Sequence, residues 1–150
     1  TNGIAISFRR NTGVYGSNTK VGQISCDGSS TVYTTSSDYR LKENIAPMTG
    51  ALAKVAQLNP VTYSWKSDGS ASQGFIAHEL QTVVPDCVVG QKDAVETYTD
   101  EDGNEQTRPV YQGIDTSFLV ATLTAAIQEQ QAIITQLQAD VAALKAQGTP

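Results

Sequence analysis

The segment from Val120 to Leu144 constrains this chain more than any other. Val120, Ile127, Ile134 and Val141 fall at heptad position a, and Leu123, Gln130, Leu137 and Leu144 at position d. Seven of these eight residues are apolar over nearly four heptads, and Gly148 and Pro150 close the run. The spacing predicts a long helix with a narrow seam, and hence a parallel coiled coil. A single amphipathic helix packed on its own domain is the competing reading, but the Ala- and Gln-rich flanks suit a narrow seam better. Oligomer order stays open: β-branched a with leucine d favours two strands, and a polar Gln130 at d can tip that choice.

A chain of 150 residues is one domain, or one small domain plus a fragment of something longer. Large apolar residues are scarce, with three Phe, one Trp and one Met. Other copies of the chain are therefore expected to complete part of the core. Residues 1–36 carry Arg9, Arg10 and Lys20 against Asp27, and the remainder carries seven basic and 14 acidic side chains. No Lys/Arg stripe forms, so nucleic acid is not an expected partner. Cys26, Cys87 and the single His78 do not make a zinc set, and the cysteines read as free thiols. No cofactor is implied. No run reaches the 18 apolar residues of a membrane helix and none reads as a signal peptide, so no membrane partner is expected. The chain opens within strand-like sequence and reads as the C-terminal piece of a larger protein.

Residues 1–36 are rich in Gly, Ser, Thr and Asn. Short alternating stretches, Ile4–Phe8 and Val21–Cys26, are separated by turn signals at Asn11-Thr12-Gly13, Tyr15-Gly16-Ser17-Asn18 and Asp27-Gly28-Ser29. This is a β-rich segment too poor in bulky residues to build its own core. From Pro47 the period changes. Thr49 is the expected cap of a helix whose apolar face is Leu52, Val55, Ala56 and Leu58, ended by Asn59-Pro60. Val61, Tyr63 and Trp65 alternate as a strand, Ser67–Ser70 turns it, and Gly74-Phe75-Ile76-Ala77 reads as a buried strand. A short helix over 79–84 follows, broken at Pro85. Asp93–Thr99 and Gln106–Gln112 flank Asp102-Gly103, predicting a hairpin that projects because both its faces are polar. The fold class is α+β: a β-rich segment (1–36), a small mixed core with a projecting hairpin at about 91–112 (37–118), and a C-terminal helix (119–147).

At the first compositional boundary stands Ser36-Ser37-Asp38-Tyr39-Arg40-Leu41-Lys42. A serine hydroxyl needs a base within hydrogen-bond reach to become a nucleophile. His78 lacks an identifiable orienting acid. Lys42 is the other candidate, since lysine serves as a base where burial or a nearby cation favours its neutral form, and Ser–Lys pairs are a variant of triad logic. Residues five apart lie about 140° apart around a helix and on opposite faces of a strand. Ser37 and Lys42 therefore meet only through a turn over Asp38–Leu41 or through another chain. A polar linker in which Lys42 pairs with Asp38 or Glu43 competes with this, and spacing alone favours the linker.

The stretches SSDYRLKENIAP, GFIAHELQTVVPD and GIDTSFLVATLTAAIQEQQ, in this order, resemble the C-terminal intramolecular chaperone domain of phage tailspikes, tail fibres and endosialidases. This self-cleaving family also occurs in a membrane-bound myelin transcription factor. The resemblance covers roughly residues 36–147. It implies that Ser37 is the nucleophile, Lys42 the general base and Ser36–Ser37 the bond cut. It implies a homotrimer, which would make the coiled coil three-stranded, with the upstream fibre shaft of the same polypeptide as partner. Arms at the Asp102-Gly103 hairpin would grip that shaft. It further implies assembly as a virion tail-fibre precursor in the host cytoplasm, with the domain released after cleavage. Phe75, His78 and Glu79 take no catalytic role, and Arg40 and Asn44 are candidate oxyanion donors. The Ser37–Lys42 geometry is expected only in the folded trimer. A non-cleaving trimerisation module is the alternative, and a glycan-binding fibre tip a more remote one, because Tyr63, Trp65 and Phe75 read as core rather than as a platform.

Overall fold

The computed structural model describes residues 3–11, 18–26 and 29–148, which divide into two compact units, 1–46 and 47–150. The turn signals at Asn11–Asn18 and Asp27–Ser29, and Pro150, fall wholly or partly outside the described residues.

The first unit is a three-stranded antiparallel sheet in the order β1 (Gly3–Asn11), β2 (Asn18–Cys26), β3 (Thr31–Thr35). The register runs from Cys26↔Thr31 to Gly22↔Thr35 between β2 and β3. It pairs Ile6 with Ile24 and Phe8 with Gly22 between β1 and β2. Only Gly22 and Ser25 are buried among its described side chains, while Phe8 and Tyr33 are exposed. Alternation thus forms the strands, but among the described side chains Ile6, Phe8, Val32 and Tyr33 stay exposed.

The second unit begins with α1 (Ala51–Val55) and the antiparallel pair β4 (Val61–Ser64) and β5 (Ala71–Gly74). Next come α2 (Ala77–Val83), a 3-10 turn over Pro85–Cys87, and β6 (Val88–Val89). A hairpin of β7 (Val95–Thr99) and β8 (Glu105–Pro109) leads to β9 (Gly113–Ile114), which pairs with β6. A 3-10 turn over Thr116–Phe118 opens into α3 (Leu119–Gln147), 29 residues long. Leu80, Val84, Cys87 and Leu119 form a small core, with Leu58, Phe75, Val83 and Val88 packed around it. Each such buried aliphatic side chain contributes about 1.5–3 kcal/mol.

Three expectations are corrected here. Thr49 does not cap α1: Gly50 stands at the cap with φ 72° and no side-chain bond, and Ala56 of the proposed apolar face is exposed while Ala51 is buried. Gly74–Ala77 is not a buried strand. The ladder ends at Gly74, Ile76 is exposed, and Ala77 already begins α2, so the apolar run covers a strand end and a helix start. Trp65 is not core: β4 stops at Ser64, and Trp65 enters the turn in which its amide bonds Ser70, leaving it 53% exposed. Its ring stands edge-on to Tyr63 at 88°, with the ring centroids 5.2 Å apart.

The expected hairpin is present, and every residue of both its strands is exposed. Its loop is organised by Asp100, whose carboxylate accepts from the amides of Asp102 (3.1 Å) and Asn104 (2.8 Å) and from Gln106 Nε2 (3.0 Å). The Arg108 guanidinium lies 5.2 Å from the Tyr98 ring centroid and pairs with Glu96 across the strands.

The long helix divides its surface between two tasks. Leu119, Thr122 and Ala126 are buried, and the helix packs against α1 through its N-terminal half. The heptad residues lie on another stripe and are exposed, Val120 by 63%, Ile127 by 65% and Leu144 by 66%. Both readings of the segment therefore hold something: the helix docks on its own domain and still carries an uncovered apolar seam.

Candidate functional site

β3 ends at Thr35, yet the chain stays on the sheet for one more residue. The Ser36 amide donates to Val21 O at 2.9 Å, and the Ser36 hydroxyl donates to Lys20 O at 3.0 Å. The chain then leaves through a 3-10 turn over Tyr39–Leu41. Asp38 is its N-cap, accepting the Arg40 amide at 2.9 Å, and the turn closes through Leu41 N to Asp38 O (3.0 Å) and Lys42 N to Tyr39 O (3.1 Å). A 3-10 helix has about three residues per turn, so this single turn carries Lys42 back alongside Ser37.

The outcome is a direct contact: Lys42 Nζ donates to Ser37 Oγ at 2.7 Å. Both side chains are exposed in the single chain. No partner chain is needed to bring them together, which corrects the expectation that this geometry waits for a trimer; the turn that makes it is entirely local. The ion pair that the linker reading expected is not formed, since Lys42 donates to Ser37 and Asp38 pairs with Arg40. Asp38 is taken by Arg40, whose Nε and Nη2 meet its two carboxylate oxygens at 2.9 and 2.7 Å. That guanidinium, followed by the Arg40 amide, holds the Asp38 carboxyl below its ordinary range and raises Arg40 in turn. The bidentate pairing occupies Arg40, the first candidate oxyanion donor. Asn44, the other, has left-handed backbone at φ 54°.

In the second unit Phe75 packs on the core, and Glu79 accepts from Asn59 Nδ2 at 3.0 Å, tying α2 to the loop after α1. Half-buried His78 lines a small cleft beside Leu58 and Phe75. Cys26 and Cys87 are free thiols, the first exposed and the second buried, and burial pushes the Cys87 thiol up. Among the described residues, no His/Cys/Asp/Glu group is placed to hold a metal, and no helix is long and apolar enough to cross a membrane.

Two capping roles escaped sequence reasoning. Asp38 carried a signal, an Asx cap one residue before a turn. Glu129 carried none. From α3 its carboxylate accepts the amides of Ala51 (3.0 Å) and Leu52 (2.8 Å), 78 and 77 residues away in sequence, and so caps α1.

Residues 37–89 match the family described as chaperone of endosialidase, a serine-peptidase family. No curated protein matches the chain. The match supports a likeness to the C-terminal intramolecular chaperone domain family over that segment, and it begins at Ser37, the residue in contact with Lys42.

Proposed function

We propose that this chain is a trimeric intramolecular chaperone that registers an upstream phage fibre shaft and then releases itself by cutting Ser36–Ser37. The observation that carries the reading is the 2.7 Å contact between Ser37 Oγ and Lys42 Nζ at the first residue of the family match. With the amine neutral, the same line carries the hydroxyl proton from Oγ to Nζ. Oγ attacks the carbonyl carbon of the preceding residue through a five-membered ring. The Ser36–Ser37 C–N bond then breaks, the nitrogen takes the proton, and an ester is left on Oγ. Water hydrolyses that ester, leaving a Ser36 carboxylate and a free Ser37 α-amine.

The exposed heptad seam of α3 supports assembly, because copies of the chain would cover Val120, Leu123, Ile127, Ile134, Leu137, Val141 and Leu144 together. A first unit with so little buried surface also favours strands that pair with other copies. Non-local β-structure of this kind nucleates slowly, and tethering three chains raises their effective concentration to the ~mM scale. Removing the tether afterwards leaves the shaft kinetically trapped.

Intact-mass analysis of wild type beside Ser37→Ala and Lys42→Ala tests the cut. A fragment beginning at Ser37 is expected in wild type, with cleavage slowed at least ~10³-fold in both variants. Full-length chains in all three samples would leave a trimerisation module that stays attached to its fibre.

A further inference from the structure

The candidate reaction centre is made of two halves with different origins. Nucleophile and base come from a local turn, Ser37–Lys42, that owes nothing to distant residues. The carbonyl they would attack belongs to Ser36, which is held by residues 15 and 16 positions earlier: its amide by Val21 O and its hydroxyl by Lys20 O. The β2–β3 ladder therefore ends at the bond to be cut. Gly22, inside that ladder, is buried, and a Cβ there would lie 2.9 Å from Thr34 O, so β3 approaches β2 too closely for any side chain at this position.

We infer that Ser36 is a positioning residue whose hydroxyl and amide dock the acyl side of the scissile bond on β2, so that self-cleavage reports a completed β2–β3 ladder. This rests on cleavage at Ser36–Ser37. Fixing a carbonyl against a nucleophile is an orientation effect, and small misplacements cost rate steeply. While β3 is undocked, the turn alone presents a serine and a lysine to a carbonyl that is free to rotate away. The ladder is thus an assembly sensor wired into the substrate side of the reaction.

The test uses the full chain. Cleavage time courses by intact mass are compared for wild type, Ser36→Ala, Ser36→Thr and Gly22→Ala. Ser36→Ala is expected to slow cleavage about 10-fold, and Ser36→Thr, which keeps the hydroxyl, to recover to within about threefold of wild type. Gly22→Ala is expected to slow it at least as much as Ser36→Ala. The rate–pH profile of Ser36→Ala should keep its wild-type shape, because the base is untouched. In an uncleavable Ser37→Ala background, the Ser36 amide should be protected from hydrogen exchange and should lose that protection when Gly22→Ala is added. Equal rates for wild type and Ser36→Ala overturn this inference alone, as does an unprotected Ser36 amide. A wild-type chain that never cuts, matching Ser37→Ala, overturns the cleavage reading and this inference with it.

Discussion

Asp38 does two jobs with one carboxylate: it caps the turn that returns Lys42 to Ser37, and it pairs with the Arg40 guanidinium. Its exposed ion pair is weak as a source of stability, so its value lies in geometry. Asp38→Ala is expected to slow self-cleavage roughly 10- to 100-fold, read by mass against time, while leaving the circular dichroism of the chain unchanged. Because the folded-state pKa of Asp38 is lowered, the cap is complete at neutral pH and weakens only as pH falls through that lowered value. At this scale the sequence was legible in part. A five-residue spacing excludes contact within a regular helix or strand, so a catalytic pair demanded a turn, and a turn is what forms. Ion-pair partners were not legible: the sequence offered Lys42 to Asp38 or Glu43, whereas the backbone conformation gives Asp38 to Arg40.

Among the elements, those specified by their own neighbourhood were read correctly and those specified from a distance were not. The β7–β8 hairpin follows from Asp-Gly and polar flanks, and α3 from its heptads, both local signals. Helix α1 is the opposite case. Five residues cannot stabilise a helix alone, and the carboxylate that receives its first amides arrives from α3. The amides of Leu52 and Ala51 hold the Glu129 carboxyl below the ordinary glutamate range. A depressed folded-state value means that the cap contributes fully above the unfolded-state pKa and is lost as pH falls through the folded one. Glu129→Gln is therefore expected to lower Tm by several degrees at neutral pH, with the gap to wild type closing below about pH 5. Thermal unfolding followed across pH checks this; a gap independent of pH would argue against the charged cap. The Gly74–Ala77 run was misread for a related reason: four small and apolar residues have no period of their own, and the core that splits them between β5 and α2 lies elsewhere in the chain.

At the scale of the whole molecule, the scarcity of large apolar residues goes with little burial in the single chain, differently in the two units. The second unit has a small core of its own around Leu80 and Cys87, whereas the first buries only Gly22 and Ser25 among its described side chains. The uncovered seam of α3 is the surface on which assembly would depend. Placing a charge there removes the gain from an apolar side chain, about 1.5–3 kcal/mol per copy, and adds the cost of burying the charge. Leu137→Asp is accordingly expected to convert a trimer to monomers in analytical ultracentrifugation at micromolar concentration. A monomeric wild type would remove the assembly reading.

Because α3 docks through Leu119, Thr122, Ala126 and Glu129 and offers its heptads on a different stripe, the core and the seam share one rigid phase along the helix. Each residue advances that phase by about 100°. One residue inserted between Glu129 and Ile134 would leave the heptads beyond it intact yet turn the core by about 100° around the helix axis relative to them. Seven inserted residues would return it to within about 20°. Length changes in this stretch are thus quantised in heptads.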